Sequence, residues 1–166
     1  MDSHADTCVL GKNFVALSFT NRYCDVQPFS DSYSSTTNVP IAHGATAWDH
    51  PDTGETFILI INEGLYFSAK MEHSLLNPNQ IRHFHNVVQD NPYAPMEDLL
   101  RIEVPEDDFI LPMQTKGVDI LFHSRTPNSY ELDNCKYVTL TSEHPWNPHQ
   151  VQTPYESPIN DILIGS

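Results

Sequence analysis

The chain is 166 residues long and carries a formal net charge of −14, from 22 acidic residues against 8 lysines and arginines. That length fits one domain, or one domain with an appendage, and the 39% of hydrophobic residues spread along it excludes global disorder. So acidic a surface repels phosphate backbones and anionic lipids, which excludes nucleic acid as a partner, and the longest apolar run, Phe57 to Ile61, is too short to span a bilayer.

Taken in chain order, the hydrophobic pattern is that of strands, and 13 prolines against 6 glycines favour strands joined by Pro-marked turns. CVLGKNFVALSFT (8–20) reads as two short β-rich pieces around a Gly-Lys-Asn turn, and YCDVQPF continues in the same style. SDSYSSTTN (30–38) is a polar loop. Residues 39–67 read as a β-hairpin turning at DHPDTGE, because Pro followed by Asp-Thr-Gly is a turn signal. PNQIRHF (78–84) is the one helix expected: Asn77 caps it, Pro78 suits its first position, and Ile81 and Phe84 face inward.

Residues 96–108, MEDLLRIEVPEDD, read as an exposed acidic stretch, and they lack the alternating oxygen ligands and Gly of a calcium loop. Strands resume with FILPMQ, VDILFHSR and KYVTLTS, and the last 23 residues hold four prolines and read as a surface-hugging tail. The expectation is a mainly β chain with one short helix.

Three cysteines, Cys8, Cys24 and Cys135, are an odd number without CxxC spacing, which points to buried thiols in a reducing compartment. With no basic-then-apolar leader, the expected location is the cytoplasm. The nine histidines show none of the spacings of a strong metal site. His83 and His85 would share a face on a strand and chelate a metal, but would diverge at a helix end, which is where they fall. No Gly-X-Ser-X-Gly supports a serine nucleophile, and Cys8 sits within an apolar strand pattern.

One short stretch carries chemistry. DSHADTCV (2–9) sets an Asp beside a small hydroxyl residue ahead of an apolar strand. It reads either as a capped turn before an edge strand or as half of a catalytic carboxylate pair. The octet resembles the retropepsin signature, Asp-Ser/Thr-Gly-Ala, with His4 where the family has Gly. The order of later segments strengthens the resemblance. VPIAHGATAWDHPDTGETFILII resembles the flap hairpin, and Leu65-Tyr66 followed by Leu75-Leu76-Asn77 and a short helix resembles proteases of Copia-type retrotransposons.

The resemblance implies an all-β, closed retropepsin-like barrel or sandwich over residues 1–90, a β-rich extension over 91–150 and a Pro-rich tail over 151–166. It implies an aspartic endopeptidase that processes a polyprotein as a homodimer, with Asp2 from each chain catalytic and Ser3 tying the active-site loops together. Ala5, His43, Gly44, Ala45, Leu75 and Leu76 would contact an extended peptide, and no cofactor is required. Only Met1 precedes Asp2, so the chain reads as an internal piece of a longer polyprotein. His4, lacking the freedom of Gly, favours a rival reading as a non-catalytic β-rich binding module. A third reading is a metal-dependent enzyme built on folded-together histidines.

Overall fold

Residues 57–61, FILII, have no polar face to turn to water, and such a run suits a strand buried on both sides. In the computed structural model, which describes residues 7–26, 36–91, 93, 99–147 and 162–165, this run is the centre of the main sheet. In chain order the strands begin with β1 (Val9–Leu10), β2 (Val15–Val26), β3 (Thr36–Asp49), β4 (Thr56–Tyr66), β5 (Ser74–Leu76) and β6 (Val87–Gln89). They continue with β7 (Arg101–Val104), β8 (Phe109–Pro112), β9 (Gln114–Lys116), β10 (Asp119–His123), β11 (Lys136–Thr139) and β12 (Ile162–Gly165). Two α-helices, α1 (Pro78–His83) and α2 (Ser129–Asn134), are present among the described residues.

The expected hairpin is present. β3 and β4 pair antiparallel from Asp49 opposite Thr56 to Ile41 opposite Leu65, and the His50 N–H closes the turn on Glu55 O at 2.8 Å. β2 lies on the outer side of β3. The other edge of β4 is divided between two short parallel neighbours: β11 runs along Phe57–Ile60 and β1 along Leu65–Tyr66. From β1 the sheet continues through β5, β12, β10 and β9.

This is an open order of strands among the described residues, and the closed barrel expected from the resemblance is not found. Among the described residues the one main-chain pairing back across it is a single residue pair: Ala47 and Arg125 exchange hydrogen bonds of 2.8 and 2.9 Å. One bridge does not close a sheet. The mainly β character expected from the patterning is present.

The strands' alternation sorts the core. Leu59 and Ile61 of β4 face Leu10, Leu76, Ile81 and the second sheet, whose Val88, Ile102, Val104, Phe109 and Leu111 are all buried. Ile58 and Ile60 face the other way, onto Ala45, Ala47 and the Leu132 and Cys135 side chains that α2 brings over them.

Three sequence expectations change here. Residues 101–104 are not simply an exposed acidic stretch: they form β7, the middle of the second sheet, with Ile102 and Val104 inward and Arg101 and Glu103 outward. The end of the chain is not wholly a surface tail, because β12 inserts between β5 and β10 and buries Ile162 and Ile164 completely. A second helix, α2, is present, begun by Asn128, whose side chain accepts from the Glu131 N–H at 2.8 Å while Glu131 accepts from the Asn128 N–H at 3.0 Å.

Candidate functional site

Asp2, Ser3 and Ala5, together with His4, lie outside the described residues. The strand that follows them, β1, is locked from behind by α1. Asn77 caps α1 by accepting from Asn79 N at 2.9 Å and Gln80 N at 3.0 Å, as expected from the sequence. Gln80 then accepts from the Cys8 N–H at 3.0 Å, and the Asn77 N–H reaches Cys8 Sγ at 3.2 Å. Cys8 is fully buried and all three cysteines are free. On its open sides β1 has Leu65 parallel and Leu75 antiparallel, both opposite Val9. Leu75 is half-buried against Val9 and Leu65, whereas Leu76 points into the main core with no exposed surface.

The other expected peptide contacts sit elsewhere. Gly44 and Ala45 are buried in the stem of the β3–β4 hairpin, between β2 and β4, and a Cβ on Gly44 would meet Leu10 Cδ1 at 2.7 Å. His43 beside them is half-buried, with Nδ1 buried and, among the described residues, without a hydrogen-bond partner. A covering flap needs a free arm, and this stem is bonded on both edges. The outer part of the β2–β3 pair extends past that stem, with Val39 packed on Val9 and Leu65. Tyr23, Cys24 and Val26 pair with Pro40, Val39 and Thr36 there, beyond the last β3–β4 pair at Ile41.

Beside this lock lies the most strained point of β4. Between Ala42–Gly44 on β3 and Ile61–Gly64 on β4 the ladder carries one extra residue on β4, and Glu63 takes up a φ of 58°. Its carboxylate is 1% exposed. It pairs with the Arg22 guanidinium and accepts from the Trp146 N–H at 3.0 Å on Oε1. Arg22 reaches it because β2 also slips register between Phe19 and Tyr23, with Asn21 at φ 65°. So clamped, Glu63 is a structural counter-ion that joins β2, β4 and the segment after Thr141.

A second ionic cluster surrounds Arg125, which donates to Asp49 at 2.9 and 3.0 Å and to Glu131 at 2.5 and 2.8 Å. Those hydrogen bonds hold the Asp49 and Glu131 carboxyls below their ordinary ionisation range, Asp49 helped by Thr56 and Glu131 by the Asn128 main chain. Glu131 and Asp49 in turn raise the Arg125 pKa. Two carboxylates bridged by a guanidinium both stay ionised, which is the opposite of the proton sharing that an acid–base pair requires. Burial, with Asp25 adding to it, raises the Cys24 thiol above its ordinary value.

Among the described residues no three His, Cys, Asp or Glu side chains gather to hold a metal ion. His83 packs against Trp146 with ring centroids 5.4 Å apart and the rings tilted by 55°, and His85 lies past the end of α1 at φ 65°. Both line a pocket with His144 and Trp146, His83 from the last turn of α1 and His85 from just beyond it.

A cleft of about 740 Å³ among the described residues was not anticipated from the sequence. Its sides are Phe84–Asn86, the Val104–Asp107 turn and the edge of β11 at Tyr137 and Thr139, and Ser142–His144 form its rim. Asn86 and Val104 are 18 residues apart and Asp107 and Tyr137 are 30 apart, and no local pattern joins them.

Comparison of the chain with protein-family models, with curated proteins and with solved structures returns no match. No helix among the described residues is long and apolar enough to cross a membrane.

Proposed function

We propose that the chain is an aspartic endopeptidase-like domain of the retropepsin type, from a Copia-like polyprotein, working as a homodimer in which each chain supplies Asp2. The paired carboxylates share one proton: one activates water while the other protonates the substrate carbonyl oxygen. Ser3 ties the two loops together, and the outer part of the β2–β3 pair takes the covering role that the resemblance gives to a hairpin. The substrate is an extended peptide bound by strand-like main-chain hydrogen bonds, and the chemistry needs no cofactor.

One observation carries this reading. The strand that continues the octet has Leu75 as its antiparallel neighbour and Leu65 as its parallel one, and α1 follows directly. These are the segments whose sequences resemble one another's counterparts in such proteases, and they are 66 residues apart between Val9 and Leu75. Three free thiols fit a reducing cytoplasm.

The rival is a non-catalytic binding module of the same descent. His4 favours it, because a side chain there crowds the tight turn beside the carboxylate and an imidazolium works against proton sharing.

The test is peptide-library cleavage from acid to neutral pH by the chain, Asp2→Asn and His4→Gly. Cleavage that disappears in Asp2→Asn supports the peptidase. Activity gained only in His4→Gly supports the disabled module. Cleavage by Asp2→Asn equal to the parent refutes the carboxylate mechanism.

A further inference from the structure

A strand with one neighbour leaves a row of main-chain donors and acceptors open, and proteins ordinarily cover such an edge. Among the described residues β11 has β4 alone as a strand neighbour. The Leu140 N–H bonds to Ile60 O at 2.9 Å, so by the alternation of a strand Val138 also turns its main chain toward β4. Tyr137 and Thr139 therefore turn theirs the other way, and both residues line the large cleft. The cover is partial: Asn86 Nδ2 donates to Leu140 O at 2.9 Å and leans on Thr139 O at 3.4 Å. Among the described residues nothing else bonds this edge.

Across the cleft stand carboxylates. Asp107 takes the Lys136 ammonium, whose Nζ lies 4.0 Å from Oδ1 and 3.4 Å from the main-chain O, so this wall already holds one cation. Glu106 and Glu143 are exposed, and among the described residues neither has a cationic partner. The chain's own linking segment, PHQVQTPYESPIND (148–161), contains no Lys or Arg and is a poor match for these charges.

We propose that this cleft is a second peptide site, distinct from the Asp2 centre, which takes an extended segment rich in Lys or Arg as an added strand on β11. Main-chain hydrogen bonds to Tyr137 and Thr139 hold the segment, and Glu106 and Glu143 select its basic side chains. The charge of −14 draws such a segment in from solution, more weakly as salt is raised.

The probe is a short fluorescent peptide of alternating valine and lysine, titrated by anisotropy into the Asp2→Asn chain so that cleavage plays no part. Binding should fall with salt and weaken about tenfold in the Glu106→Lys, Glu143→Lys double variant. It should be lost when the amides along one peptide edge are N-methylated and kept when the opposite edge is. Equal binding of the glutamate analogue, indifference to N-methylation on both edges, or no binding at millimolar peptide overturns the proposal. The loss in the Glu106→Lys, Glu143→Lys chain places the binding at this cleft, because neither residue belongs to the octet that holds Asp2.

Discussion

Replacing Glu63 in two ways separates its carboxylate from its backbone. Glu63→Ala removes the acceptor of the Trp146 N–H and the counter-ion of Arg22. Hydrogen bonds to charged groups contribute about 1.5–3 kcal/mol, and Arg22, 42% exposed, can rehydrate, which keeps the loss near 2 kcal/mol as an order of magnitude. Glu63→Gly loses the same contacts but relieves the left-handed φ of 58°, which costs an L-residue about 1–2 kcal/mol. The glycine variant should therefore be more stable than the alanine variant by about 1 kcal/mol. In an ordinary strand the order is reversed, glycine being worse by roughly 0.5–1 kcal/mol. Urea unfolding followed by tryptophan fluorescence, with the slope checked for constancy, gives the comparison directly. A glycine variant equal to or weaker than the alanine variant would falsify the bulge geometry.

Two further outcomes test the packing and the charges. Gly11→Ala sets a Cβ 2.5 Å from His73 O and 2.7 Å from Met71 O, main-chain atoms that cannot step aside, so it should cost about 1–3 kcal/mol in urea unfolding and loosen β1. The contrast is Gly54→Ala, which meets nothing within 4 Å and pays only for its φ of +75°, about 1 kcal/mol; equal losses with β1 undisturbed would argue against the close crossing at Gly11. Arg125→Met should cost about 1–2 kcal/mol at neutral pH. Both of its carboxylates ionise below their ordinary values of 3.8 and 4.5 in the folded chain, so their stabilisation is complete above those values and is lost as pH falls through the folded-state ones. The parent's urea midpoint should consequently fall more steeply than the variant's between about pH 5 and 3, and parallel acid limbs would refute the assignment.

What was legible in the sequence was local. DHPDTGE announced the β3–β4 turn, and Asn77-Pro78 announced α1, because each signal and its hydrogen bonds lie within a few residues. The same local logic holds for α2, since Asn128 and Glu131 stand at capping-box spacing. The second sheet lay under a charged surface: in RIEV the alternation that buries Ile102 and Val104 is short, and acidic neighbours on both sides obscure it. β12 was not legible at all as a core strand. Its apolar DILIG shows strand character, but nothing local says that its neighbours are Leu75 and Leu121. The candidate site divides in the same way. The octet is a local motif, whereas the pairing of Val9 with Leu75 and the cleft beside β11 arise only from chain paths that the turns do not encode.

The bulge at Asn62–Glu63 explains how both features coexist on β4. One edge of this strand accepts β11 over Phe57–Ile60 and β1 over Leu65–Tyr66, leaving the main chain between them without a strand. Buried carbonyls in such a gap need donors, and they have them. Gln80 Nε2 donates to Asn62 O and Glu63 O, each at 3.1 Å, and Thr141 Oγ1 donates to Asn62 O at 2.7 Å while accepting from its N–H at 2.7 Å. The amide of Gln80 that fills the gap belongs to the same side chain whose oxygen holds Cys8. The threonine stands two residues beyond β11. Glu63 thus needs no catalytic task to account for its burial or its strain: it marks the point where β1, carrying the octet, and β11, bordering the open cleft, meet on one strand. A change at that point would act on both, whereas a change at Asp2 or at Glu106 should act on one alone.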